Sequence, residues 1–483
     1  MESVVLRNFL IVCFFIFFSM SAHAKGVSPY LPLKLDPIVE LEIERLVSVT
    51  GLPTLIKPYQ IVTVNRYLQQ VKHTHPMLYS RLHTYIKRYK KQKAVTHFSA
   101  EISEDFGDSD AFALHNKRGQ NSSDNYRFSF ASFYQYNSYL IVNSGGSFFQ
   151  GSAVPHNTFV SLGWDELQLD FGYREHWLAP HHDSSLLLST QAEPPLTLTL
   201  SNVTPFTDWQ LKYEMSFGLL NSVDNILFEQ ERYSGKPGFL TMHLSVQLFD
   251  WWTLGGNRTM MFGGGKRSIA FKDVWNAVID PVNSDNCGGD GTSLQDCDQE
   301  VGNQIASITS RFDFSLGDFP VSLFIDYGGE DTKDFNKTSF GNIGRNFGVF
   351  LPYLTESMSL NLEWAKFHRL WYIHHIYGEG YTNKHNVMGH WWGDGKTQGD
   401  PSSGEAISTK LTWDDREKLS VIVQYRSQQI NIEAGSLKSY ERSHQLDLTF
   451  NYLFDDAFVG LTVSGGKDNF GDNFIRTSLS YMW

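Results

Sequence analysis

The sequence predicts a mainly β protein: a transmembrane antiparallel β-barrel of 18 strands with a small three-helix plug at its periplasmic end. Three observations carry that expectation. The carboxy-terminal strand has one apolar face, two-sided strands run through residues 94–483, and tight turns alternate with long polar loops. The chain ends on FIRTSLSYMW, where Ile475, Leu479, Tyr481 and Trp483 share one face of an extended strand while Arg476, Ser478 and Ser480 share the other. Such a strand separates lipid from water as readily as a core from solvent, so the remaining elements decide.

Residues 1–24, MESVVLRNFLIVCFFIFFSMSAHA, place Arg7 before an apolar run and end on Ala22-His23-Ala24, the pattern of a secretory signal peptide. The uncharged run is roughly a dozen residues, short of the ~20 that span a bilayer as a helix. Residues 25–93 read as a helical periplasmic segment. Pro37 suits a first turn, Leu41, Leu46 and Val49 recur at helical spacing, and Gly51 is a stop. YQIVTVNRYLQQVKHTHP and PMLYSRLHTYIKRYKKQ add two helices divided at Pro76, the second with a basic last turn that suits the helix dipole. Three such helices bury too little to stand alone, so they are expected to dock on something larger and block or narrow the periplasmic mouth.

From residue 94 the period becomes two. Phe98, Ala100 and Ile102 share a face. Ala306, Ile308, Phe312, Phe314 and Leu316 oppose Ser307, Thr309, Arg311 and Asp313, with Ile305 set aside; Leu446, Leu448, Phe450, Tyr452 and Phe454 oppose Asp447, Thr449 and Asn451. A dry core would reject those charges, whereas a wall between lipid and water accepts them. Tight turns are read near Asn137, Asp165, Thr207, Trp251, Gly317, Glu356, Asp415 and Asp455. Between them lie long connections at about 106–125, 148–155, 178–195, 220–237, 263–303, 330–344, 369–403, 430–441 and 468–472, which together set the strand count.

Composition agrees. Aromatic residues make up 14% of the chain, yet its mean hydropathy is −0.29, as expected when only alternate residues meet lipid and aromatic girdles mark both interfaces. A net charge of −12 repels phosphate backbones, which excludes nucleic acid as a partner. Cys13 leaves with the signal peptide, and Cys287 and Cys297, in DNCGGDGTSLQDCDQ, read as a loop disulfide of an oxidising compartment. The pairs His181-His182 and His374-His375, and the neighbours His385 and His390, read as solvated loop residues, so neither metal nor cofactor is expected. No nucleophile elbow, phosphate-cradling loop or helix-borne zinc pair is present; GGNRTMMFGGGKR (255–267) is Gly-rich but is read with no helix after it. The chain is therefore not expected to be an enzyme.

The most informative loop is RLWYIHHIYGEGYTNKHNVMGHWWGDGKTQGD, beginning at residue 369. Trp371, Tyr372, Tyr377, Tyr381, Trp391 and Trp392 alternate with polar residues, and flat rings stack on the C–H faces of sugars while amides and carboxylates bind hydroxyls. These six rings are the candidate polysaccharide-binding residues. Lys117, Arg118, Arg232, Lys236 and Lys266 are the loop cations expected to contact an acidic sugar.

The stretch REHWLAPHHDSSLLLSTQAEPPLTLTLSN (174–202), with Trp177, Pro180, Leu187, Ser189, Ala192 and Pro194 in place, together with GGNRTMMFGGGKR and the GNQ at 302–304, resembles the capsule assembly Wzi family. The likeness runs over nearly the whole mature chain. It departs at Trp177-Leu178-Ala179-Pro180, where that family often has Trp-Gly-Pro. The resemblance implies an 18-stranded outer-membrane barrel plugged by helices at its periplasmic end, lectin-like, with extracellular polysaccharide as partner. The barrel itself implies outer-membrane lipid and the barrel assembly machinery as further partners, in a Gram-negative envelope. A sugar-permeable porin and an outer-membrane glycan hydrolase are the alternatives.

Overall fold

The computed structural model describes residues 26–33, 36–107, 114–279, 300–317, 319–332, 340–396, 399–430, 439–454 and 457–483. Residues 1–24, expected to be a signal peptide, and both Cys287 and Cys297 lie outside them. Strands follow the period-two segments in order. The first half comprises β1 (Lys93–Gly107), β2 (Tyr126–Asn137), β3 (Leu140–Phe149), β4 (Thr158–Trp164), β5 (Leu167–Tyr173), β6 (Leu196–Ser201), β7 (Lys212–Leu219), β8 (Gly238–Phe249) and β9 (Trp252–Phe262). The second comprises β10 (Gly302–Leu316), β11 (Phe319–Thr332), β12 (Phe340–Thr355), β13 (Met358–Phe367), β14 (Gly404–Asp414), β15 (Leu419–Ile430), β16 (Ser443–Phe454), β17 (Ala457–Lys467) and β18 (Asn473–Met482).

Each strand pairs antiparallel with the next, and β18 pairs back onto β1 through registers such as Ile475 with Phe106 and Tyr481 with Ala100. This makes an 18-stranded closed barrel. The short strand Ser152–Val154 pairs with β3 alone and is an extension of a loop rather than a stave. Closure satisfies every strand edge, which the hydrocarbon phase demands. Among the described residues the strand ends fall at the turns and loops read from the sequence, except that the connection at Thr207 spans residues 202–211 and is not tight; Asp455 and parts of the loops 106–125, 263–303, 330–344, 369–403 and 430–441 lie outside the described residues.

The alternation sorts the side chains. Phe98, Ile102, Ile308, Leu316, Leu446, Phe450, Phe454, Ile475, Leu479 and Tyr481 are exposed on the outside, while Ser307, Thr309, Arg311, Asn451 and Arg476 are buried within. Ile305, on the lumen face, is also buried. Tyr136, Tyr139, Trp209, Trp251, Phe454 and Trp483 stand exposed at the tight-turn end, a girdle at one interface. No helix among the described residues is long and apolar enough to cross a membrane; the strands do the crossing.

The lumen is filled from both ends. At the tight-turn end α1 (Pro37–Thr50), α2 (Ile61–Gln70) and α3 (Pro76–Ile86) pack together. The Asp36 carboxylate caps α1 by accepting from Ile38 N at 2.7 Å and Val39 N at 3.2 Å. Gly51 ends α1 at φ 60°, and a Cβ there would meet Asp250 O of the β8–β9 turn at 2.6 Å, so both the cap and the docking need glycine. Leu46, Val47, Val64, Leu68 and Leu82 form a closed core with Phe133 and Ile141 of the barrel wall. Burial of each such aliphatic side chain stabilises by roughly 1.5–3 kcal/mol. Asp414 of β14 accepts from Arg45 Nη1 at 3.3 Å and Arg81 Nη2 at 3.0 Å, and Glu42 joins both cations, tying the helices to the rim.

One element departs from the sequence reading: a helix, α4 (Phe271–Ile279), does follow the Gly-rich segment. At nine residues it is too short for its periodicity to stand out, and it is finished from outside itself. Arg258 of β9 donates to Ala277 O at 2.7 Å and Val278 O at 2.8 Å, satisfying carbonyls at its carboxy terminus.

Candidate functional site

At the long-loop end, residues 174–195, 368–396 and 399–403 fold into the barrel and make a roof. Its core joins Leu186, Leu187 and Leu188 to Phe367, Trp371, Tyr372, Tyr377, Tyr381, Trp391 and Trp392. Trp392 stacks on Phe367 at 4.4 Å between ring centroids, and Tyr372 stacks on Tyr381 at 5.6 Å. Polar edges are used as well: Tyr372 OH accepts from His390 N at 2.7 Å, Trp392 Nε1 donates to Gln429 O at 3.2 Å, and Tyr377 OH donates to Gly263 O at 3.0 Å.

This placement corrects the expectation for the six rings as stacking surfaces. Each is at most 3% exposed, because an aromatic-rich loop gains more by burying its rings against the leucines than by presenting them to water. Trp371, Tyr372, Tyr377, Tyr381 and Trp392 are roof core. Trp391 alone of the six lines a cavity open to the loop side, with the His115 ring edge-on to it at 4.5 Å and 87°.

That cavity has a volume of about 360 Å³. Its walls come from the β1–β2 loop (His115, Lys117), the roof (Gln191, Trp391, Asp394, Lys396), β15 (Arg426, Gln428), the end of β17 (Lys467) and the β17–β18 loop (Asn469). Two wall side chains carry buried amide oxygens without a hydrogen-bond partner, Gln428 Oε1 and Asn469 Oδ1. Gly395 separates these two amides: a Cβ on it would come within 2.1 Å of Gln428 Nε2 and 2.6 Å of Asn469 Nδ2.

The floor is ionic. Asp183 accepts from Arg426 Nη2 at 2.7 Å, Gln424 Nε2 at 2.8 Å and Trp391 Nε1 at 3.0 Å, and Arg426 Nη1 reaches Asp447 at 2.9 Å. Arg426 also lines a second cavity below, of about 100 Å³, bounded by α1, so this ion pair is the septum between the outside and the lumen. Burial pushes His390 down to about 3, and burial with the nearby Arg426 pushes His115 well below the usual histidine range. Burial lowers Lys396 to about 8 against the pull of Glu330 and Asp400; its Nζ donates to Trp371 O at 2.8 Å.

The candidate cations separate into three settings. Lys117 stands in the cavity wall, 3.4 Å from Asp394 Oδ2. Arg118 is instead buried and structural, clasped by Glu175 and donating to Leu33 O at 2.8 Å, which corrects its expected role. Arg232, Lys236 and Lys266 are exposed around the hairpin 223–235, outside the cavity walls, with Lys266 Nζ 4.2 Å from the centre of the Tyr233 ring. The sequence reading missed Asp183, Arg426, Gln428 and Asn469. Arg426 and Gln428 sit on the lumen face of β15 by simple alternation, which was a usable signal; Asp183 lies in the 174–202 stretch but gave no sign of its partner 243 residues away.

A closed barrel with an apolar exterior, a helical plug and a loop roof is an outer-membrane protein whose lumen is filled rather than open. The chain belongs to the capsule assembly protein Wzi family, whose profile matches residues 83–467. The fold is similar to that of Escherichia coli Wzi, an outer-membrane protein involved in group 1 capsule assembly and described as a carbohydrate-binding β-barrel: 15% identity, 93% of this chain and 98% of that chain covered, TM-score 0.69. Pseudomonas aeruginosa OpdQ (9% identity, 80% and 96% covered, TM-score 0.46) and Acinetobacter baumannii OccAB2 (10%, 81% and 98%, 0.46) align less well. No curated protein sequence matches the chain.

Proposed function

We propose that this chain is a non-enzymatic, lectin-like barrel that holds exported capsular or related extracellular polysaccharide at the cell surface, in the external cavity beside Trp391. The observation that carries the reading is the pair of unpartnered amide oxygens, Gln428 Oε1 and Asn469 Oδ1, in a wall that also offers an indole, a carboxylate and cations. Neither oxygen meets solvent as the walls stand, so a sugar hydroxyl donates to it once the side chain turns toward the cavity, and an acceptor left unpaired in a buried place costs about 1–3 kcal/mol. Lys117 and Lys467 suit a polymer carrying carboxylates. The filled lumen speaks against a sugar porin, and outer-membrane lipid and the barrel assembly machinery are the partners that any such barrel requires.

The test is binding of the host's purified polysaccharide to the detergent-solubilised barrel. The double variant Gln428→Ala, Asn469→Ala should lose at least about tenfold in affinity while keeping heat-modifiable mobility, by the scale of two lost hydrogen bonds. Undiminished binding would move the site. The same incubation should leave polymer chain length unchanged; shortening would favour a hydrolase.

A further inference from the structure

On the opposite side of the roof, Glu300, His374 and His375 meet. Glu300 lies two residues before the barrel strand β10, and the two histidines lie in the roof loop that follows β13. His374 Nε2 is 3.0 Å from Glu300 Oε1 and His375 Nε2 is 2.8 Å from Oε2; the two imidazoles stack at 4.6 Å and 27°. The carboxylate side chain is 2% exposed, that of His374 10% and that of His375 39%. Arg267 Nη1 donates to Glu300 O at 2.7 Å and so anchors the residue by its backbone.

We propose that these three residues bind one divalent transition ion, best represented by Zn²⁺, which staples the β9–β10 connection to the roof loop. Two imidazoles and a carboxylate are the donor set of an open tetrahedral site, with three protein ligands and one free position. His375, the most exposed of the three, puts that free position toward solvent, where water or a polymer oxygen completes the shell. Nitrogen donors select Zn²⁺, Ni²⁺ or Cu²⁺ over Ca²⁺ or Mg²⁺, whose shells are oxygen. All three donor atoms lie within 4.8 Å of one another, so loading needs side-chain adjustment of tenths of an ångström up to about one, given metal–ligand distances near 2.0–2.2 Å. It costs the long 3.3 Å hydrogen bond that His374 Nδ1 accepts from Ile376 N, because the ring proton moves to Nδ1 when Nε2 takes the metal.

The experiment uses the full barrel, free of any histidine tag, in detergent, titrated with Zn²⁺ against a chromophoric chelator. One ion per chain is expected, with affinity reduced roughly tenfold or more in both His375→Ala and His374→Ala. His385→Ala, at an exposed histidine paired with Glu379, should bind as the parent does. Co²⁺ loading should give the intense visible bands of a tetrahedral site, lost in His375→Ala. Heat-modifiable mobility checks that each variant is folded. Binding below one ion per chain, or unchanged binding in a folded His375→Ala, overturns the site.

Discussion

The periplasmic plug and the external roof close the same barrel by opposite means. The plug is three helices contiguous in sequence, joined by an aliphatic core and tied to the rim through Asp414. The roof is two loops that meet only in space, as where Ser189 Oγ donates to Gly389 O 200 residues away, over an aromatic and aliphatic core with the buried Asp183–Arg426 ion pair in its floor. A short-range aliphatic core is sensitive above all to cavities; a junction between distant loops that carries a buried ion pair is sensitive also to the loss of either partner.

The largest expected effect breaks the roof. Asp183→Ala leaves Arg426 without its main counter-charge and Trp391 Nε1 without an acceptor, and removing one partner of a buried ion pair costs about 3–5 kcal/mol. Limited proteolysis should then cut residues 368–403 much faster, with the helices 37–86 as resistant as before. The mirror experiment is Leu46→Ala in the plug, where a fully buried Leu is replaced at a cost of about 2–5 kcal/mol. It should speed cleavage between the helices while polysaccharide binding is retained. Loss of binding in that variant would mean the two ends are coupled.

Acid should separate them further. A free histidine titrates near 6.5, and burial holds His390 near 3, so the unfolded roof binds the extra proton between those values. Roof stability is therefore complete above about pH 6.5 and is lost as pH falls toward 3, by at most ~1.4 kcal/mol per pH unit for this group. Tryptophan fluorescence of the roof should show thermal midpoints falling from pH 7 to pH 4, and His390→Asn should flatten that slope. The smallest effect is at Lys117, partly exposed and paired with Asp394: Lys117→Ala should weaken polysaccharide binding by a few fold, about 0.5–1 kcal/mol, and more at low salt than at high.

The same contrast explains what could be read in the sequence. Strands, turns, loops and the three helices are written in short-range patterns: the alternation around Phe450, the Asp36-Pro37 start, the Gly51 stop. The direction in which a loop folds is not local. Six aromatic rings in residues 371–392 are compatible with a sugar platform or with a core, and the choice is made by Leu186, Leu187 and Leu188, far away in sequence. Arg426 was legible as a lumen-facing residue of β15 but not as the partner of Asp183, and Gln428 and Asn469 become acceptors of interest only once four loops and the barrel wall enclose them.

The most direct test is a hydroxyl-radical footprint of the purified barrel with and without its polysaccharide. Protection is expected at residues 114–122, 426–428 and 467–470, the walls of the external cavity, with the lumen side of α1 and the hairpin 223–235 unchanged. Protection confined to the hairpin, or spread down the lumen, would contradict the account.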